Sequence, residues 1–212
     1  MANLIATKAP NLPIAPAAYN QQAQDKYSNI LRLYFNTIDN ITSSILDSAG
    51  MTSFNAPYGA FQDTVSHTVT ANTANAMTFN TVDYVNGVSM VANSKITVDN
   101  SGIYNLQFST QFQSTDVAPQ DISIWLRVNG VDVVGSAGLL GMPARKSAGN
   151  PYHDIKGWNF IVSLTAGDYI ELWWSTTAAT VTIQEYVISA APVHPSTASN
   201  VVTLTFVSAL PA

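Results

Sequence analysis

Three histidines, His67, His153 and His194, are the first side chains to weigh for chemistry. A metal site would bring two of them close in sequence, as in His-x-His or His-Glu-x-x-His. Here they are widely separated, and only His153-Asp154 offers two ligating groups side by side. That pair falls on a predicted loop, where a solvated pair is simpler than a metal site. The thirteen carboxylates are scattered. The two carboxylates of a glycosidase can come from distant segments, so scatter alone leaves that chemistry open. Asp168 and Glu171 sit at a predicted hairpin and read as turn and surface residues. The run GSAGLLG at 135–141 has the glycines of a phosphate cradle, but neither its lysine nor a following helix. No Gly-x-Ser-x-Gly elbow occurs. Asn40-Ile41-Thr42 is formally a glycosylation sequon, but it lies on a predicted coil in a chain without a recognisable leader. The expectation is no catalytic residue, no metal and no cofactor: a protein that is not an enzyme.

The composition narrows the alternatives. The chain has 212 residues, of which 47% are apolar and only 10% charged. The usual charged fraction is about a quarter. Surface polarity must therefore come from Ser, Thr, Asn and Gln, as in extracellular β-structure, adhesins and virion appendages. Net charge is −5 and no basic cluster occurs, so nucleic acid is not an expected partner. With no cysteine, disulfides and thiolate metal sites are excluded. Robustness outside a cell would then have to come from oligomer burial. The opening MANLIATKAPNLPIAPAA lacks the basic and apolar regions of a signal peptide. No apolar run reaches the roughly 18 residues of a membrane span. Lysis, rather than secretion, is the expected route out of the cell.

Four segments follow from the patterning. Residues 1–17 carry several prolines and few charges, which predicts an extended arm. Such an arm either docks on a partner, through Leu4, Ile5, Leu12 and Ile14, or folds back on its own oligomer. Residues 18–49 predict a helix, capped near Asn20 and stopped by Gly50. Tyr27, Leu31, Tyr34, Ile38, Ile41 and Ile45 recur with steps of four and three, the spacing of a coiled-coil seam. The β-branched seam is compatible with trimers; an amphipathic helix on a monomeric domain is the plainer alternative. About three heptads are marginal alone in water, so something else must hold the coil together. Residues 50–62 read as a linker rich in turn residues.

From 63 to 212 strand patterns dominate. Tyr104, Leu106, Phe108, Thr110 and Phe112 share one face of a strand. So do Ile122, Ile124, Leu126 and Val128, which lead into the hairpin dipeptide Asn129-Gly130. Phe160, Val162 and Leu164 precede the turn Thr165–Asp168, and Ile170, Leu172 and Trp174 return. Val202, Leu204, Phe206 and Leu210 close the pattern. Shorter strands are predicted at 65–70, 76–81, 88–91 and 95–98. The fold class is mainly β, a sandwich or jelly roll.

MTFNTVDYVNGVSMVANSKITVDNSGIYNLQFS at 77–109 is similar to the core of C1q/tumour-necrosis-factor-like heads. An early strand with Phe79, an Asn-Gly step and a Gly-x-Tyr opening of a long strand occur in order. LTAGDYIELWW at 164–174 resembles the family's Leu-x-x-Gly-Asp hairpin, and VTLTFVSAL its closing strand. Residues 135–157 and 189–198 depart from it as longer loops. The resemblance implies a C1q/TNF-like jelly-roll head that trimerises, raising the effective concentration of its stalks. The outward Trp125, Tyr169 and Trp173 are expected between heads, and Trp125→Glu would test this. Residues 14–134, from PAAYNQQAQDKYSNILRLYFNTIDN through YGAFQDTVSHTV, also resemble small virion proteins of tailed bacteriophages. This implies a virion location and a homotrimeric fibre or appendage docked on capsid, neck or tail through residues 1–20, or a capsid decoration protein. A second expectation is a host-attachment head that binds a surface glycan through Asn150, Tyr152, His153 and Trp158. A polysaccharide depolymerase is disfavoured by small size and few carboxylates.

Overall fold

The computed structural model describes residues 9–14, 18–45 and 56–210, with only the backbone of 41–45. Leu4, Ile5, Leu46 and Gly50 lie outside the described residues. The chain divides into two compact units, Met1–Asn55 and Ala56–Ala212. In the first, helix α1 spans Gln21–Ile45. Asn20 starts it: its Oδ1 accepts from the Ala23 N–H at 3.0 Å and its carbonyl accepts from Gln24 at 3.1 Å. These two bonds satisfy donors that every helix start leaves open. Tyr27, Leu31, Tyr34 and Ile38 are half-buried, whereas Leu33 and Phe35 are exposed. Ile41 and Ile45 lie on the last turns of the helix.

Among the described residues the second unit holds sixteen strands. They are β1 Tyr58–Asp63, β2 Asn75–Ala76, β3 Thr81–Asn86, β4 Val88–Val91, β5 Lys95–Val98 and β6 Gly102–Ser114. Then follow β7 Gln120–Val128, β8 Val131–Asp132, β9 Gly138–Met142, β10 Tyr152–Lys156 and β11 Asn159–Leu164. The last five are β12 Tyr169–Thr176, β13 Val181–Ile183, β14 Ser189–Ala190, β15 Val193–His194 and β16 Asn200–Ser208.

Two seven-stranded antiparallel sheets form. The first runs β10-β6-β16-β1-β3, with β11 and β13 also paired to β6. The second runs β4-β5-β12-β7-β8, with β2 on β12 and β9 on β7. The chain changes sheet between β1 and β2, β2 and β3, β3 and β4, β5 and β6, β6 and β7, β9 and β10, β11 and β12, and β12 and β13. Repeated crossing between two packed antiparallel sheets is a jelly roll.

The alternation of side chains makes the core. Tyr104, Leu106, Phe108 and Phe112 of β6 face Ile122, Ile124 and Leu126 of β7 and Ile170, Leu172 and Trp174 of β12, all buried. Asn129 and Gly130 take φ of 52° and 80°, the left-handed pair that a two-residue hairpin needs. Gly102 has a packing reason: a Cβ there would run into the Phe206 ring, which stacks edge-on against Tyr104 at 5.6 Å.

Several expectations are corrected. Residues 58–62 belong to strand β1, not to a linker. Its glycine and neighbouring proline read as turn signals, but a Cβ at Gly59 would clash with Phe61 and Val88. Segment 65–70 is no strand and makes one bridge, His67 to Ile183. Segment 76–81 holds only the ends of β2 and β3. Leu210 is 37% exposed, because a register shift after Phe206 ends the inward alternation. The supposed loops 135–157 and 189–198 contain β9, β10, β14 and β15.

Candidate functional site

A partly buried polar cluster joins the end of β1 to the segments that follow it. Asp63 is buried at the end of β1. Its Oδ2 accepts from His67 Nε2 at 2.9 Å and from the Thr78 hydroxyl at 2.6 Å, and its Oδ1 accepts from the Val65 N–H at 3.0 Å. Asp, His and Thr together suggest a nucleophile relay. In a relay, the imidazole bridges acid and nucleophile through its two different nitrogens. Here Thr78 Oγ1 lies 3.1 Å from the same Nε2 that meets Asp63. The hydroxyl proton goes directly to the carboxylate, so the arrangement is a latch between segments, not a relay. Asp63→Ala would strand three donors in a largely buried site. It is expected to cost about 3 kcal/mol in urea unfolding, and an unchanged midpoint would refute the latch.

Glu171 is a correction to the surface reading: it is 5% exposed. Ser94 Oγ donates to its Oε1 at 2.8 Å. Asp168 does sit in a turn, where Asn129 Nδ2 and the Thr165 N–H, each at 2.8 Å, hold its carboxyl below the usual range. His194 Nδ1 donates to the Pro195 carbonyl at 2.7 Å. Among the described residues, no three His, Asp or Glu side chains converge as a metal site would require.

Trp125, Tyr169 and Trp173 point outward from the second sheet and are half-exposed. Trp125 and Trp173 are register partners. The Arg127 guanidinium lies 3.7 Å from the Trp173 ring centroid, and Lys95 Nζ lies 4.6 Å from that of Tyr169. Asp132 Oδ1 accepts from Arg127 Nε at 2.5 Å and Trp125 Nε1 at 2.7 Å. These bonds, Arg127 first, lower the Asp132 pKa. Sequence reasoning missed Arg127, Asp132 and Lys95, which convert three bare aromatics into a cation-covered ladder.

The outer face of the first sheet is different in kind. Strand register puts Ile155 beside Gln111, Ile161 beside Asn105, Tyr58 beside Thr205 and Tyr84 beside Ala60. Ile155, Ile161, Tyr58 and Tyr84 are all exposed. Between them lie amides and hydroxyls: Gln107, Ser109, Asn159, Thr203 and Thr205. No Lys, Arg or Glu of β1, β3, β6, β10, β11 or β16 points out of this face; Lys156 lies beside buried Thr110, on the other side of β10. Asp83, hydrogen-bonded to Gln62 at 2.7 Å, is the carboxylate at its β3 edge. An open depression in the middle is lined by Gln107, Phe108, Ser109, Ile155 and Trp158.

The four expected ligand residues differ in setting: Asn150 and His153 are exposed, Tyr152 and Trp158 half-buried. Trp158 is half-buried and packs edge-on against Phe108 at 4.8 Å and against Phe160 at 5.9 Å. Asn150 closes a tight turn, donating its N–H to the Ser147 carbonyl at 3.0 Å. Tyr152 leans on the core from the start of β10. His153 faces outward, with Nδ1 2.6 Å from the Tyr186 hydroxyl. That hydroxyl donates to Gln113 Oε1 at 3.0 Å. Burial, then Lys146, lowers the His153 pKa; burial pushes Tyr186 up to about 12. Tyr186 and Lys146 were not among the expected residues, since nothing in their local sequence marks them.

No protein-family model matches this sequence, and no curated protein matches it. Among solved structures the chain is similar to one described as Eiger TNF from S. frugiperda. The identity is 12%, over 74% of this chain and 96% of that chain, with a TM-score of 0.47. The jelly-roll assignment rests on the strand order of the chain itself.

Proposed function

We propose that this protein is a structural, self-assembling virion appendage of a tailed phage: a homotrimer whose jelly-roll heads meet through the outer face of the β10-β6-β16-β1-β3 sheet. The observation that carries this reading is the chemistry of that face, which is almost free of charge and exposes Ile155, Ile161, Tyr58 and Tyr84. Contiguous uncharged surface with several exposed aliphatic and aromatic side chains marks an interface. The apolar stripe of α1 supports the same reading, since a single short helix cannot bury it. Leu12 and Ile14 of the arm are exposed, Ile14 by 95%, and are available to dock on a neighbouring virion protein. The virion setting draws on the sequence resemblance of residues 14–134 alone.

This reading moves the head contact away from Trp125, Tyr169 and Trp173. Covering that ladder would take Arg127 and Lys95 out of water, and desolvating cations opposes association unless new partners are supplied. The uncharged face carries no such penalty.

Sedimentation equilibrium tests the proposal. The full chain and a version starting at Ala56, which keeps every core residue of the sandwich, are both expected at three times the protomer mass. A monomeric full chain would overturn the proposal. A trimeric full chain with a monomeric head would place the assembly in the coil and remove the sheet contact.

A further inference from the structure

We propose that the end of the sandwich bearing Arg145, Lys146 and His153 binds the anionic groups of an acidic saccharide, carboxylates or sulfate esters. Among the described residues, Arg127 and Lys156 are ion-paired, while neither Arg145 nor Lys146 has a carboxylate within ion-pair distance. In a chain of net charge −5, Arg145 and Lys146 are adjacent cations at an end whose nearby carboxylate, Asp116, is taken up by the Thr180 hydroxyl at 2.6 Å and the Ala118 N–H at 2.9 Å. The backbone holds them in place: the Arg145 N–H donates to the Asp116 carbonyl at 2.8 Å, and the Lys146 N–H to the Asn150 carbonyl at 3.0 Å.

His153 completes the set. The Tyr186 hydroxyl proton is committed to Gln113, so His153 Nδ1–H is the donor in the 2.6 Å bond to that oxygen. Nε2 takes no bond from the described residues. With the proton on Nδ1, Nε2 donates only when the ring becomes imidazolium. Burial first, and then Lys146, opposes that protonation, and an anion between the two cations would relieve the second. Asp154 and Lys156 point to the opposite side of β10 and pair with each other at 2.6 Å, so neither competes. Tyr186 and Gln113 are the other groups that face the ring.

Magnitude argues for a polymer, not a free ion. An exposed ion pair contributes about 0–1 kcal/mol, too little to retain one small anion. A repeating acidic glycan engages several heads at once and multiplies weak contacts. That gain rests on the trimer proposed above and requires the head contact to stop short of the His153 end of β10, since His153 and Ile155 point out of the same sheet face; the site and the multivalency therefore need separate readouts.

The three histidines give three ring signals, with His67 and His194 as internal references. The probes are a sulfated hexasaccharide, a carboxylated hexasaccharide and a neutral glucan hexamer, each titrated by NMR against the full chain. One short oligomer per head reports the site whether or not the heads trimerise. Either acidic probe is expected to raise the His153 midpoint by about one unit, so affinity falls as pH rises through that midpoint. Lys146→Gln is expected to weaken binding about three-fold and Arg145→Gln/Lys146→Gln about ten-fold. A response to one acidic probe alone identifies the anion. No His153 shift with either, or an equal response to the neutral glucan, overturns the site. Long polymer binding no tighter per head than hexasaccharide would remove the multivalency and leave the site standing.

Discussion

Trp174→Ala is expected to lower the stability of the sandwich by about 3–5 kcal/mol. Trp174 is 1% exposed on β12, opposite Ile124 of β7 and beside Asn75 of β2. Its ring meets Phe112 of the other sheet at 5.6 Å, so it spans the gap between the layers. Truncation removes the transfer energy of the indole and leaves a cavity between two antiparallel sheets that are pinned by their ladders and cannot collapse into it. A loss of that size is a large part of the 5–15 kcal/mol that holds a typical domain. Urea unfolding followed by far-ultraviolet circular dichroism measures it. Trp174→Phe keeps the edge-on contact and should cost less than half as much. Equal losses for the two variants would mean that Trp174 does not bridge the sheets as described.

Ile155→Asp/Ile161→Asp should convert the assembled protein to monomers at concentrations where the parent is assembled, a weakening of at least about a hundredfold. Both side chains point away from the core, at 63 and 61% exposure, so the fold should be unaffected and the Trp174 packing intact. In a closed assembly each substitution recurs in every copy, and like charges meet across an interface whose middle holds amides, hydroxyls and apolar groups. Sedimentation equilibrium reads the mass and circular dichroism the fold. If the double variant keeps its mass, the contact is not on this face. Trp125→Glu would then probe the aromatic ladder of the second sheet directly.

Much of the sandwich was legible because its long strands alternate strictly. In β6, β7 and β12 most inward positions are large and apolar, and in the structure Tyr104, Leu106, Phe108, Phe112, Ile122, Ile124, Leu126, Ile170, Leu172 and Trp174 are buried. The Asn129-Gly130 dipeptide announces its own backbone geometry. The weaker strands were illegible for a physical reason. β9 and β10 each lean on a single neighbour, and their outward residues include Leu139 and Ile155, so solvent exposure erases the alternation. β1 was hidden by Gly59, whose missing side chain is a packing requirement, not a turn signal. Long-range polar pairs leave no local trace: Glu171 is buried by Ser94, 77 residues earlier in the chain. Asp63, His67 and Thr78 come together only because β1 and the segments after it are drawn to one end of the sheet. The same holds for His153 and Tyr186, which belong to different elements.

The pairing of β1 with β16 sets a schedule for synthesis. Tyr58 meets Thr205 and Asp63 meets Asn200, so the second strand from one edge of the first sheet waits for a strand made long after it. Until β16 leaves the ribosome, β1 and β6 have no common neighbour, and the first sheet is two separate pieces. Contacts between such distant positions make folding slow, and the unpaired flanks of β1 and β6 are open to strand exchange meanwhile. Polysomes translating this protein would carry many such half-sheets side by side. Neighbouring nascent chains are thus positioned to trade β16, and domain-swapped heads are the misassembly to look for when the protein is made quickly.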